Sequence, residues 1–242
     1  MNTLQYNGMN LDFNGYRLSM DNIMPVIPQD MDFIYLAKNF DGTKVINKAP
    51  NSTFGDYLQH GTLTVNGEGA SCYLSNGLSV NNYLYKNLTQ TEFDNIQAIN
   101  STYTFFIRVM NSSGTGGIMS TRAYGVISGD HYVYMIRSFL NQLQIHTTSG
   151  NNLGSNFLLD IDRVYKVVVN GANFYAKNLE SNADTTITFS TQRNMSTYMT
   201  TFWAGFSGEA NLDRFYGLAG IPRATTADED SVIKDILMNQ SI

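Results

Sequence analysis

The sequence predicts an all-β fold: an antiparallel β-sandwich of jelly-roll type, closed by one short C-terminal helix. Three observations carry this. Turn signals such as Asn-Gly, Asp-Gly and Ser-Gly recur roughly every 8 to 15 residues, with short alternating apolar segments between them. No succession of helix and strand periods runs along the chain, as a parallel α/β sheet would need. Clear helical spacing follows Pro222, which ends strand pairing because it has no N–H to give.

Residues 1–30 read as an arm separate from a sandwich over 31–242. Asn7-Gly8 and Asn14-Gly15 are turn dipeptides. Met9, Leu11 and Phe13, then Tyr16, Leu18 and Met20, alternate with polar residues and predict two short strands or one hairpin. The stretch 21–28 carries Pro25 and Pro28 and reads as a linker. The arm either packs on the sandwich or serves docking and oligomerisation.

The body opens with a strand over 31–37 and a turn at Asp41-Gly42, and 44–61 looks irregular. Short strands are expected at 63–65, 72–74 and 83–85, with room for a short helix at 89–96. The segment 101–110 is a long strand with Tyr103, Phe105, Ile107 and Val109 on one face. A hairpin loop at 111–117 leads to strands at 118–122, 131–137, 143–146, 163–169, 173–178 and 184–190, with Asn170-Gly171 as a tight turn. The stretch 200–221 reads as two strands joined by Ser207-Gly208-Glu209. Thr226 and Glu229 then have capping-box spacing, Asp228 to Asp230 suit the positive end of a helix dipole, and Val232, Ile233, Ile236 and Leu237 form an apolar stripe. The prediction is a helix over 226–239.

Composition narrows the function. Charged residues make up 14% and the formal net charge is -5, which argues against nucleic acid as a partner. The abundant Asn, Thr, Ser and Tyr suit neutral hydrogen-bonding ligands. Cys72 is the single cysteine, and His60, His131 and His146 are scattered, so no disulfide and no zinc motif are expected. The sequence lacks an apolar run long enough for membrane insertion and opens without a signal-peptide pattern, which predicts synthesis in the cytoplasm. The Asn-x-Ser/Thr triplets at Asn51, Asn87 and Asn100 read as a consequence of composition.

Five stretches carry a family resemblance. They are Tyr35-Leu-Ala leading to Asp41-Gly42, the strand from Tyr103, the run Tyr165-Lys-Val-Val-Val-Asn-Gly171, Phe174-Tyr-Ala, and the closing segment from Gly217 through Ile221-Pro-Arg to Thr226 and Glu229. Together they resemble the laminin-G-like, concanavalin-A-like lectin domain over about 31–240. The resemblance implies two bent antiparallel sheets with a concave face, and binding of carbohydrate or protein more often than cleavage of glycans. The polar, cysteine-poor composition is also similar in style to virion proteins of tailed bacteriophages.

A glycan hydrolase on this fold would need carboxylates on alternate residues of one strand, close enough for acid and nucleophile to share a sugar. Asp160-Ile-Asp162 has the spacing, but no third acid follows, so the expectation is no enzyme. Glycan binding needs an aromatic plate with polar groups around it. The contacts expected are Trp203, Tyr124, Tyr132, Tyr134, Asp130 and His131; the plain alternative buries Trp203 in the core. No cofactor is expected; calcium is the ion the resemblance raises, with Asp41 and Asp130 as its weak ligands. The sequence thus reads as an adhesion module of a phage particle, with a cell-surface glycan and other virion proteins as partners and a homo-oligomeric state. The rival is a structural virion component that contacts only neighbouring proteins, and a glycan hydrolase is third.

Overall fold

The computed structural model describes residues 3–6, 9–12, 26–75, 82–98, 100–112, 115–122, 132–147, 152–171, 173–188, 201–204 and 212–242. In chain order the strands are β1 (Thr3–Tyr6), β2 (Met9–Asp12), β3 (Phe33–Phe40), β4 (Lys44–Asn47), β5 (Tyr57–His60) and β6 (Thr64–Asn66). Then come β7 (Tyr73–Ser75), β8 (Tyr83–Asn87), helix α1 (Gln90–Gln97), β9 (Thr102–Met110), β10 (Thr115–Arg122), β11 (Tyr132–Phe139) and β12 (Gln142–Thr147). The chain continues through β13 (Asn152–Leu158), β14 (Val164–Asn170), β15 (Asn173–Asn178), β16 (Asp184–Thr188), β17 (Thr201–Ala204), β18 (Arg214–Ile221) and helix α2 (Ala227–Asn239).

β1 and β2 form a two-stranded sheet, with Thr3 opposite Asp12. The sequence put the arm's strands at 9–13 and 16–20. The first is β2, but its partner is Thr3–Tyr6, because the two-residue link Asn7-Gly8 favours the nearer segment. Residues 16–20 lie outside the described residues.

The other strands, apart from β6 and β7, form one antiparallel path that folds over into a sandwich, and β7 joins it beside β18 with β6 as its own partner. One layer runs β3-β18-β9-β14-β15-β16 and the other β4-β5-β8-β17-β10-β11-β12-β13. The turn between layers falls at β3 and β4, where Tyr35 pairs with Asn47 and Phe40 with Val45 across a break in register. β4 and β5 occupy part of the stretch expected to be irregular, and β13 begins at Asn152, where a loop was expected. β17 and β18 are not hairpin partners, as the sequence suggested. β17 pairs with β8 and β10, and β18 with β3, β7 and β9, so the connection between them crosses from one layer to the other.

Alternation along β9 explains the core. Tyr103, Phe105, Ile107 and Val109 are all fully buried between the layers, with Phe33, Tyr35 and Ala37 of β3 and Tyr165, Val167 and Val169 of β14. Ile118, Ile136, Leu143, Leu84 and Tyr57 reach them from the other layer. The intervening Phe106, with Ile34, Leu36, Ala219 and Ile221, faces the other way and is covered by α2 through Ile233, Ile236 and Leu237. Each of these three helix side chains contributes roughly 1.5–3 kcal/mol on burial. Gly217 lets the helix sit close: a Cβ there would lie 2.8 Å from the Tyr35 carbonyl and 2.9 Å from Leu237 Cδ2.

Helix α2 begins with the capping box its sequence predicts. Glu229 N donates to Thr226 Oγ1 at 3.3 Å, and Thr226 N donates to Glu229 Oε2 at 2.9 Å. Thr89 and Glu92 form the same arrangement at α1, in the stretch where the sequence left room for a short helix. At the far end of α2, Arg108 of β9 donates to the carbonyls of Leu237 and Met238 at 2.8 and 2.9 Å. It also holds the Ala70 carbonyl at 2.8 Å and Asp162 through two bonds of 2.8 and 2.6 Å. Gln240 completes the dock by accepting from Lys38 N at 3.0 Å and donating to the Cys72 carbonyl.

Candidate functional site

Sheet order brings together residues that the chain keeps far apart. β10 separates β11, which carries Tyr132 and Tyr134, from β17, which carries Trp203. Tyr132 is opposite Arg122 of β10, and Arg122 is opposite Thr201 of β17. Trp203 is opposite Ser120 on one side and Tyr85 of β8 on the other. Tyr134 is opposite Thr147 of β12. Tyr124, Asp130 and His131 lie outside the described residues.

The row continues into residues that the sequence reading passed over. Tyr85 is opposite Leu58 of β5, and Tyr83 is opposite His60. Leu84, between the two tyrosines, is fully buried in the core, so alternation turns Tyr83 and Tyr85 to the outer face of the layer. There the His60 ring stacks on Tyr83, with centroids 4.5 Å apart and planes 9° from parallel. Tyr85 meets Tyr83 edge-on at 6.0 Å and 68°. His60 and Leu58 are exposed, while Tyr83 is buried. The accessible rings are therefore His60 and Tyr85, packed about the buried Tyr83 on strands held in place from behind by the core. The Tyr83-Leu84-Tyr85 triplet carried the signal, but nothing local shows that β8 lies beside β17.

Charge around this face is sparse and mostly paired. Lys44, opposite Leu58 on β4, donates to Asp56 at 2.7 Å. Burial pulls the Asp56 carboxyl upward, but the Lys44 ammonium and the Asn47 N–H outweigh it and hold the group below its ordinary value. Asp41 spends its Oδ1 on its own turn, accepting from Thr43 Oγ1 at 2.8 Å, Thr43 N at 2.9 Å and Lys44 N at 3.0 Å. These bonds, the Thr43 hydroxyl first, hold its carboxyl below the ordinary value. Among the described residues no group of three His, Cys, Asp or Glu could hold a metal. Asp41 belongs to the turn before β4, and Asp130, the other residue raised for calcium, lies outside the described residues.

The Asp160 and Asp162 pair precedes β14 in a bend. Asp162 is clamped by Arg108 at 2.6 Å, and Asp160 is exposed near Asn141 at 3.5 Å. The two acids face different partners, and Asp162 does structural work.

No family model matches the chain, and no curated protein matches it in sequence. Solved structures do resemble it. Trypanosoma rangeli sialidase superposes with a TM-score of 0.59 at 8% identity, over 90% of this chain and 34% of that one. Botulinum neurotoxin type C, described as dependent upon interaction with two ganglioside molecules, gives 0.59 at 10% identity over 86% of this chain and 51% of the toxin's. The binding domain of botulinum neurotoxin DC in complex with SialylT gives 0.56 at 10% over 86% and 52%. The chain thus spans about a third of the sialidase and about half of the toxin chains. At such identities the likeness shows the fold alone, an antiparallel β-sandwich.

Proposed function

We propose that the chain is a non-enzymatic carbohydrate-binding module that recognises a cell-surface glycan through the outer face of the β5-β8-β17-β10-β11 layer. The observation that carries this reading is the ring cluster His60–Tyr83–Tyr85, which continues in register into Trp203. A pyranose presents a face of C–H bonds that packs on aromatic rings, and its hydroxyls seek neutral donors and acceptors. A chain with 14% charged residues and abundant Asn, Ser and Thr supplies such neighbours. The fold's likeness to domains described with gangliosides and SialylT supports the same class of ligand. Commitment of Asp162 to Arg108 supports a binding rather than a cleaving role. The setting we propose is a phage particle, assembled in the host cytoplasm as a homo-oligomer, and the polar, cysteine-poor composition supports it.

A glycan array followed by calorimetry tests the reading. Saturable binding should weaken about fivefold in Tyr85→Ala and Trp203→Ala, as expected for loss of an aromatic contact of roughly 1 kcal/mol. Tyr134→Ala should show a smaller loss. No binding to any glycan, with assembly onto other virion proteins intact, would make the chain a structural component. Release of free sugar that stops in Asp160→Asn would make it a hydrolase.

A further inference from the structure

We propose a second ligand site, for the carboxylate of an acidic sugar, in the pocket between α2 and β15. The inference rests on the carbohydrate-binding reading and extends it to a class of sugar.

The starting point is an imbalance of charge. Lys166 of β14 and Lys177 of β15 stand directly opposite each other in the ladder. Like charges at facing positions repel. Lys234, one turn further along α2 than Asp230, lines the same pocket. The pocket's walls carry two ammonium groups, Lys177 and Lys234, and one carboxylate, Asp230. That carboxylate is already engaged: Lys166 Nζ donates to its two oxygens at 2.9 and 2.8 Å, and Thr225 Oγ1 donates at 2.6 Å. Lys166 and Asp230 are both buried, so this pair is a fixed part of the floor. Asp184, across the ladder from Lys177, accepts from the Tyr175 hydroxyl at 2.9 Å. Among the described residues no carboxylate forms an ion pair with Lys177 or Lys234. In a chain of net charge -5, Lys177 and Lys234 thus bring two ammonium groups to one pocket whose carboxylate is already engaged, with Asp184 facing Lys177 from the next strand.

The pocket's other walls suit a sugar. Leu179 and Ala227 give an apolar side, and Asn182 and Ser231 give an amide and a hydroxyl. A sugar carboxylate between Lys177 and Lys234 would relieve the repulsion between Lys177 and Lys166. Its ring would lay C–H bonds on Leu179 and its hydroxyls near Asn182 and Ser231.

Calorimetry and lysine-detected NMR with 3′-sialyllactose, lactose and sodium acetate test this. Sialyllactose should bind wild type with a salt-dependent affinity that falls about tenfold in Lys177→Gln and in Lys234→Gln. Lactose binding should be unchanged in both variants, while Tyr85→Ala should weaken both sugars. Both Gln variants should unfold no earlier than wild type, since each removes a like charge. Sialyllactose affinity unchanged in both variants would refute the pocket and leave the aromatic face standing. Acetate shifting the two lysines with no effect from sialyllactose would also refute it. Failure of wild type to bind either sugar would overturn the carbohydrate reading itself.

Discussion

Arg108→Met deletes the buried guanidinium that anchors α2 while keeping an apolar side chain of similar length. Three carbonyls then lose a donor: Ala70, Leu237 and Met238, now held at 2.8, 2.8 and 2.9 Å. Two of these belong to the last turn of α2, where carbonyls have no partner within the helix. An acceptor left unsatisfied in a buried place costs about 1–3 kcal/mol. The stacking of Arg108 on Tyr216 at 4.3 Å is lost as well. Asp162 weighs less, because its side chain is 36% exposed and water can replace the guanidinium there. Sparing the desolvation of the cation offsets part of the loss. The net expectation is a destabilisation of about 3–5 kcal/mol, the usual range for breaking a buried charged contact. For a chain of this length that is a fall in Tm of roughly 6–20 °C, measurable by calorimetry and urea titration. Asp162→Asn should cost only about 1 kcal/mol. If Arg108→Met lies within about 1 kcal/mol of wild type, the anchor carries no weight. If Asp162→Asn costs as much as Arg108→Met, the ion pair and not the helix carbonyls is what matters.

Two further expectations concern packing and pH. Gly220→Ala should destabilise by about 1–3 kcal/mol, because the new Cβ would lie 2.4 Å from the Phe33 ring and 2.9 Å from the Tyr103 hydroxyl, both fully buried; an unchanged urea midpoint would show that β3 and β18 can part more easily than argued. The Glu229 carboxyl is lowered from 4.5 to about 2, chiefly by the Arg223 guanidinium at 2.6 Å and then by the Thr226 N–H, against the pull of burial. A carboxyl depressed in the folded state contributes stability that is fully present above its unfolded value and is lost as pH falls through the folded one. Stability should therefore drop between about pH 4.5 and 2, and Glu229→Gln should flatten that slope; a slope unchanged in the variant would assign the acid sensitivity to other groups.

Much of the frame was legible because it is local. β9 shows its alternation in sequence, and the odd residues do face the inter-layer core. The capping box at Thr226 and the Ile233, Ile236, Leu237 stripe place α2 to within a residue of where it lies. What was missed is short or non-local. β4 and β5 are four residues each, too brief for a period-2 pattern to stand out between Asp41-Gly42 and the Pro50 loop. β17 and β18 look like hairpin partners because they are neighbours in sequence, yet each is claimed by longer strands in a different layer.

The same reasoning explains why the aromatic face could be only half read. Trp203, Tyr132 and Tyr134 attract notice singly, as aromatics near turns. Their meaning depends on which strands flank β10 and β17, and that order is set by closure of the whole sandwich rather than by any local spacing. Tyr83 and Tyr85 look like ordinary strand residues until β8 is known to pair with β17, at which point they become the described part of the face. Asp230 makes the converse case. In sequence it is one of three acids suited to a helix N-terminus, and the fold gives it a second duty as the counter-ion of Lys166. Because that carboxylate is already taken, Lys177 and Lys234 share their pocket with no ion-pair partner among the described residues, and this is the ground of the proposed acidic-sugar site.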